Sequence, residues 1–137
     1  MTRIARILLG LVFVVFSANY FVPFLPAPGS MPPGAIAFGV AFVGSGMMTF
    51  IKVIEMVAGL ALLANRFTPL ALAVLAPIVV GIVLFHALLA PSGLPVAAAV
   101  LGLELFLAWA YRRAYTPMLQ VRVAPQEAAP APVLRAA

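Results

Sequence analysis

Residues 46–89 read GMMTFIKVIEMVAGLALLANRFTPLALAVLAPIVVGIVLFHALL, and this stretch decides the fold. Two apolar runs, each close to the ~20 residues that a helix needs to cross a bilayer core, flank a polar turn at Asn65-Arg66. Thr68 stands where a helix N-cap is expected. Pro69 follows at the first helical position, where its missing N–H costs nothing. The pattern predicts a helical hairpin with helices at about 46–64 and 69–89. Pro77 predicts a kink in the second helix, tolerable in lipid where neighbouring groups re-satisfy the freed carbonyl.

Outward from this hairpin the chain keeps the same character. No charged residue occurs between Arg6 and Lys52, yet Pro23, Pro26, Pro28, Pro32 and Pro33, with Gly29 and Gly34, must interrupt any helix there. A first helix is therefore expected at about 4–24, followed by a Pro/Gly-rich connection. Ala35 to Val43 is apolar but too short to span and suits an interfacial or re-entrant segment. The Gly44-Ser45-Gly46 run lacks the Lys and Ser/Thr of a phosphate loop and reads as a hinge. On the other side, Ala90-Pro91-Ser92-Gly93 forms a turn, and a last helix is expected at about 95–111, ending at Arg112-Arg113. The expected architecture is all-α: a four-helix transmembrane bundle over residues 1–117 and a flexible Ala/Pro-rich tail over 118–137.

Composition agrees with this class. Of 137 residues, 66% are hydrophobic and 8% charged, and the mean hydropathy is +1.21. A soluble domain this short cannot hide so much apolar surface. The chain has no cysteine, which excludes disulfides, thiolate metal sites and relays between protein thiols. A pI near 10.9 raises the question of nucleic acid, but the basic residues are scattered at helix ends, form no stripe, and read instead as topology signals.

With the N-terminus in the cytoplasm, Arg3, Arg6, Arg66, Arg112, Arg113, Arg122 and Arg135 all fall on one side. Both opposite connections then carry no Lys or Arg. The positive-inside rule therefore predicts both termini in the cytoplasm. A cleaved signal peptide is the alternative for the first helix. It is disfavoured because the apolar run continues to Phe24 with no Ala-x-Ala-like site, and because cleavage would invert the rest of the topology against its charges.

Five polar residues break the hydrophobic pattern: Asn19, Lys52, Glu55, His86 and Glu104. Ionisable groups within a membrane segment are costly and mark functional sites by default. On the expected helices, Glu55 and Glu104 fall near the midplane, Lys52 about one turn further out, and His86 and Asn19 in the outer third. Lys52 and Glu55, three apart, can pair directly. Glu104 then needs His86, the Tyr20 hydroxyl or its own proton. Small residues beside these groups, Ala58 and Gly59 on one helix and Ala98 and Gly102 on another, would let helices approach closely.

The segments IKVIEMVAGLALLANRFTPLALAVLAP at 51–77, LFH at 84–86, PSGLP at 91–95 and LELFLAWAYRRAYTPML at 103–119 resemble the DoxX and DoxX-like membrane proteins, as does ARILLGLVFVVFSANYFVPFLP at 5–26. The resemblance covers about residues 4–119, without a short catalytic motif. It implies a four-helix bundle in the plasma (inner) membrane of a prokaryote and, through some relatives, an association with quinone-linked electron transfer. Fold transfers on such a likeness better than function.

Several readings of the polar residues stay open. They could fix helix register and nothing more. They could receive a quinone headgroup, with Lys52 or His86 donating to a carbonyl and Glu55 or Glu104 exchanging the accompanying proton. A proton or small-solute pathway is a further option, and a metal held by His86, Glu55 and Glu104 a weaker one, since no spacing brings these three together. A haem lacks a second His ligand, and Met47 and Met48 read as packing. Arg66 reads as a contact to lipid phosphate. With no nucleophile–base pair and no cofactor fingerprint, the chain is expected to act as a subunit without catalysing a reaction alone. Its partners would be the bilayer, a redox protein that supplies electrons, and further copies of itself.

Overall fold

The computed structural model describes residues 1–26 and 29–122, and all regular structure among them is helical. Five α-helices follow one another: α1 (Thr2–Phe21), α2 (Pro33–Gly44), α3 (Met47–Leu63), α4 (Thr68–Leu88) and α5 (Leu94–Ala110). Single-turn 3-10 helices lie at Pro91–Gly93, Arg112–Ala114 and Thr116–Leu119. The expected tail falls outside the described residues from 123 onward, and Arg135 and Pro28 with it.

Three segments are long and apolar enough to cross a membrane: α1, α4, and the run Pro91–Ala110 that contains α5. A fourth exists if α2 and α3 are taken together, although they meet at an angle of 82°. The bend falls at Ser45-Gly46, where Gly46 takes a φ of +79°, a left-handed conformation that a residue without Cβ adopts at little cost. The short apolar segment between the first two long helices is thus a helix in its own right. It packs on α4 through Phe38, whose ring lies 5.6 Å from that of Phe85.

The long helices form a ring in which α1 touches α3, α3 touches α4, α4 touches α5, and α5 closes back on α1. Leu9, Phe13, Leu62, Leu72, Leu75, Val79, Val100 and Leu107 fill its centre. The closest crossing is between α1 and α3. A Cβ at Gly59 would lie 2.9 Å from Val14 Cγ2 and 3.1 Å from the Gly10 carbonyl, and one at Gly10 would lie 3.0 Å from the Gly59 carbonyl. Gly59 thus makes the close approach expected of a small residue. Gly102, by contrast, has nothing within 4 Å of a would-be Cβ, and α5 buries Ala97 in place of the exposed Ala98. One residue is a rotation of about 100° on a helix, enough to move a side chain from core to surface.

The turn between α3 and α4 follows from Asn65. With φ +55° it ends α3 in the manner of a left-handed C′ residue, and the Arg66 and Asn65 amides donate back to the Ala61 and Leu62 carbonyls at 2.9 and 3.1 Å. Thr68 was expected to cap α4, but it is already the first helical residue. Phe67, also left-handed, holds the cap position, and the buried Thr68 hydroxyl has no hydrogen-bond partner among the described residues. Pro77 lies inside a helix that continues unbroken to Leu88.

Candidate functional site

Glu55 faces inward from the middle of α3 and is 2% exposed. Lys52, one turn earlier on the same face, donates to its Oε2 at 2.6 Å and keeps 17% of its side chain exposed. The i,i+3 spacing lets the ammonium fold back over the carboxylate. The third member was not foreseen: the buried Ser17 hydroxyl, reaching across from α1, donates to the same oxygen at 3.2 Å. A carboxylate removed from water is tolerable only when paired and hydrogen-bonded, and this one is both. Ser17 carries no distinguishing signal in sequence, since a serine in an apolar helix usually bonds its own backbone. Its role depends on the α1–α3 register that the Gly10–Gly59 contact sets. One turn further toward the end of α1 the same crossing holds the Tyr20 hydroxyl 2.7 Å from that of Thr49.

The other three candidates sit apart from this cluster in their bonding. Asn19 accepts from the Phe24 and Leu25 amides at 2.9 and 2.7 Å, closing the turn in which α1 ends. His86 places Nδ1 2.8 Å from the Ile82 carbonyl, its ring edge-on to Phe85 and pressed against Gly93 of the following turn. Gly93 has an ordinary φ of −88°, so what it supplies there is room for the imidazole. Glu104 faces the core from α5, 3% exposed, and its Oε2 has no hydrogen-bond partner among the described residues. Neither His86 nor Tyr20 reaches it by a hydrogen bond.

Among the described residues no three His, Cys, Asp or Glu side chains come together as a metal-binding group. The arrangement offers two separate chemistries inside an apolar bundle. One is an ammonium–carboxylate–hydroxyl cluster with an exposed edge at Lys52. The other is a lone carboxyl at Glu104.

Opposite in character is the end of the bundle where α1 and α4 begin and α3 and α5 finish. It carries Arg3, Arg6, Arg66, Arg112 and Arg113. Arg6 is the unexpected one. It is only 6% exposed and donates through Nη1 to the Leu62 and Leu63 carbonyls at the end of α3. Tyr115 ties the same end together by donating to the Pro69 carbonyl at 2.9 Å, and its hydroxyl is held above the ordinary tyrosine range by burial first and by the negative charge of Glu104 second. Comparison of the chain with protein-family models, with curated proteins and with solved structures finds no match.

Proposed function

We propose that this chain is a DoxX-like multi-pass membrane protein of a prokaryotic plasma membrane, with both termini cytoplasmic. In this reading the bundle is the membrane subunit of a quinone-linked redox system, and the Lys52–Glu55–Ser17 cluster receives the quinone headgroup. The observation that supports it is the cluster itself: a charge-assisted, largely buried pair inside a bundle with three helices long and apolar enough to cross a membrane, with Lys52 partly exposed. An ammonium has three N–H donors, and Glu55 Oε2 is the acceptor of the single hydrogen bond that Lys52 makes among the described residues. The remaining protons are available to a quinone carbonyl arriving from the bilayer. Reduction to the quinol takes two electrons and two protons; the electrons come from a partner protein, and the protons pass through the Lys52–Glu55 pair.

A second reading is favoured by how many of these polar groups already have partners within the chain. Glu55 has two partners, and Asn19 and His86 bond within their own segments. On that view the chain is a scaffold or assembly factor and the cluster fixes the α1–α3 register. Native mass spectrometry of protein purified in mild detergent separates the two. A quinone that co-purifies with the native chain and is lost in Glu55→Gln, while the variant stays folded, is the expected result. No quinone under any condition, in a membrane that contains it, would move the assignment to the scaffold. The same Glu55→Gln variant is expected to retain partner recovery and to lower quinone-dependent turnover, whereas a scaffold predicts no change in either.

A further inference from the structure

At the arginine-bearing end a cavity of about 520 Å³ opens between the helix termini, lined by Thr2, Arg3 and Arg6 of α1, Leu63 of α3, Asn65 of the turn and Tyr111 after α5. Its electrostatics are one-sided. The acidic side chains among the described residues are Glu55 and Glu104; both are buried within the bundle, and neither forms an ion pair with Arg3 or Arg6. Arg6 is therefore a buried guanidinium that has backbone carbonyls for company and no carboxylate among the described residues. Its Nη1 is spent on α3, while Nε and Nη2 make no hydrogen bond to any described residue. Those nitrogens reach the open cavity, where donors of a cation without a carboxylate partner favour an anion beside them.

The lining suits one class of anion. Two guanidiniums present planar donor forks that match phosphate oxygens, and the hydroxyls of Thr2 and Tyr111 and the Asn65 amide add neutral donors. Beside the arginines, on the same helix, Ile4 and Leu8 are 64% and 48% exposed. A free phosphate would engage the cavity alone. A molecule with a phosphate head and apolar tails would engage the cavity and continue onto Ile4 and Leu8.

We infer that this cavity is a binding site for the phosphate headgroup of an anionic phospholipid, held by Arg3 and Arg6. The site lies at the opposite end of the bundle from Lys52's exposed edge and stands whether or not a quinone binds there. Arg6 thereby has two tasks, closing the end of α3 through Nη1 and facing the lipid with its other nitrogens.

The test is native mass spectrometry of the full chain from mild detergent, incubated with phosphatidylglycerol, phosphatidylcholine or inorganic phosphate. Phosphatidylglycerol should be retained over phosphatidylcholine by about tenfold, a preference equivalent to one strong charge-assisted contact. Arg3→Gln, at an exposed position that makes no side-chain hydrogen bond, should keep the thermal midpoint and lose most of that preference. Arg113→Gln, at the same end of the bundle but outside the cavity, should keep both. Equal retention of the two lipids overturns the inference. So does an equal loss in Arg3→Gln and Arg113→Gln, which would mean diffuse surface charge, and so does retention of inorganic phosphate with exclusion of the lipid.

Discussion

At the scale of single residues, the Lys52–Glu55–Ser17 cluster sets the sharpest expectation. Breaking a buried ion pair by removing one partner leaves the other charge uncompensated, at about 3 to 5 kcal/mol, whereas removing both charges together is often nearly neutral. Lys52→Met should therefore destabilise strongly and Lys52→Met with Glu55→Gln much less, so that the double-mutant cycle returns a large coupling energy. Ser17→Ala removes one donor from a carboxylate that keeps its ammonium and should cost about 1 to 2 kcal/mol. Unfolding in mixed detergent micelles reads all three. Additive single and double variants would mean that the 2.6 Å contact carries no net energy. The pair was legible in sequence because i,i+3 spacing is a local rule. Ser17 and Arg6 were not, because their partners lie 38 and 56 residues away and only the packed α1–α3 crossing brings them within reach.

At the scale of elements, the apolar runs and the proline clusters delimit the helices to within about three residues. Between Asn65 and Thr68 the local rule failed in an instructive way. The sequence offers Thr68 as a cap, but the left-handed Asn65 ends α3 so early that Phe67 takes the cap position and the threonine joins the helix. Small residues were read as a class, and the structure divides them. Gly59 meets Val14, the Gly10 carbonyl and Phe13 within 3.2 Å of an added Cβ, while Gly102 meets nothing. Gly59→Ala should then cost about 1 to 3 kcal/mol by overpacking the crossing. Gly102→Ala should be neutral or stabilise by up to about 1 kcal/mol through helix propensity. Because the same crossing positions Ser17 on Glu55, Gly59→Ala should also weaken whatever the cluster binds, which quinone co-purification can follow. Equal effects at the two glycines would contradict the α1–α3 packing.

At the scale of the whole molecule, the two ends of the bundle differ in charge. The ring of helices gathers five arginines from three separate stretches of the chain onto one face, although they are spread from residue 3 to residue 113. The opposite face is formed by the Pro/Gly-rich connection and the Pro91–Gly93 turn, neither of which carries a Lys or Arg. Guanidiniums close to a helix end resist translocation, so the arginine face should remain cytoplasmic. The absence of cysteine makes this directly measurable, since any introduced thiol is the only one. A membrane-impermeant maleimide should label Ser30→Cys and Ser92→Cys on intact cells and Gln120→Cys only after permeabilisation. The reverse pattern would invert the orientation and carry two consequences at once. Lys52 and its carboxylate would then open toward the cytoplasmic leaflet, and on the proposed quinone reading the protons would be taken from the cytoplasm. The Arg3–Arg6 cavity would face the outer leaflet, so its lipid would have to be drawn from there.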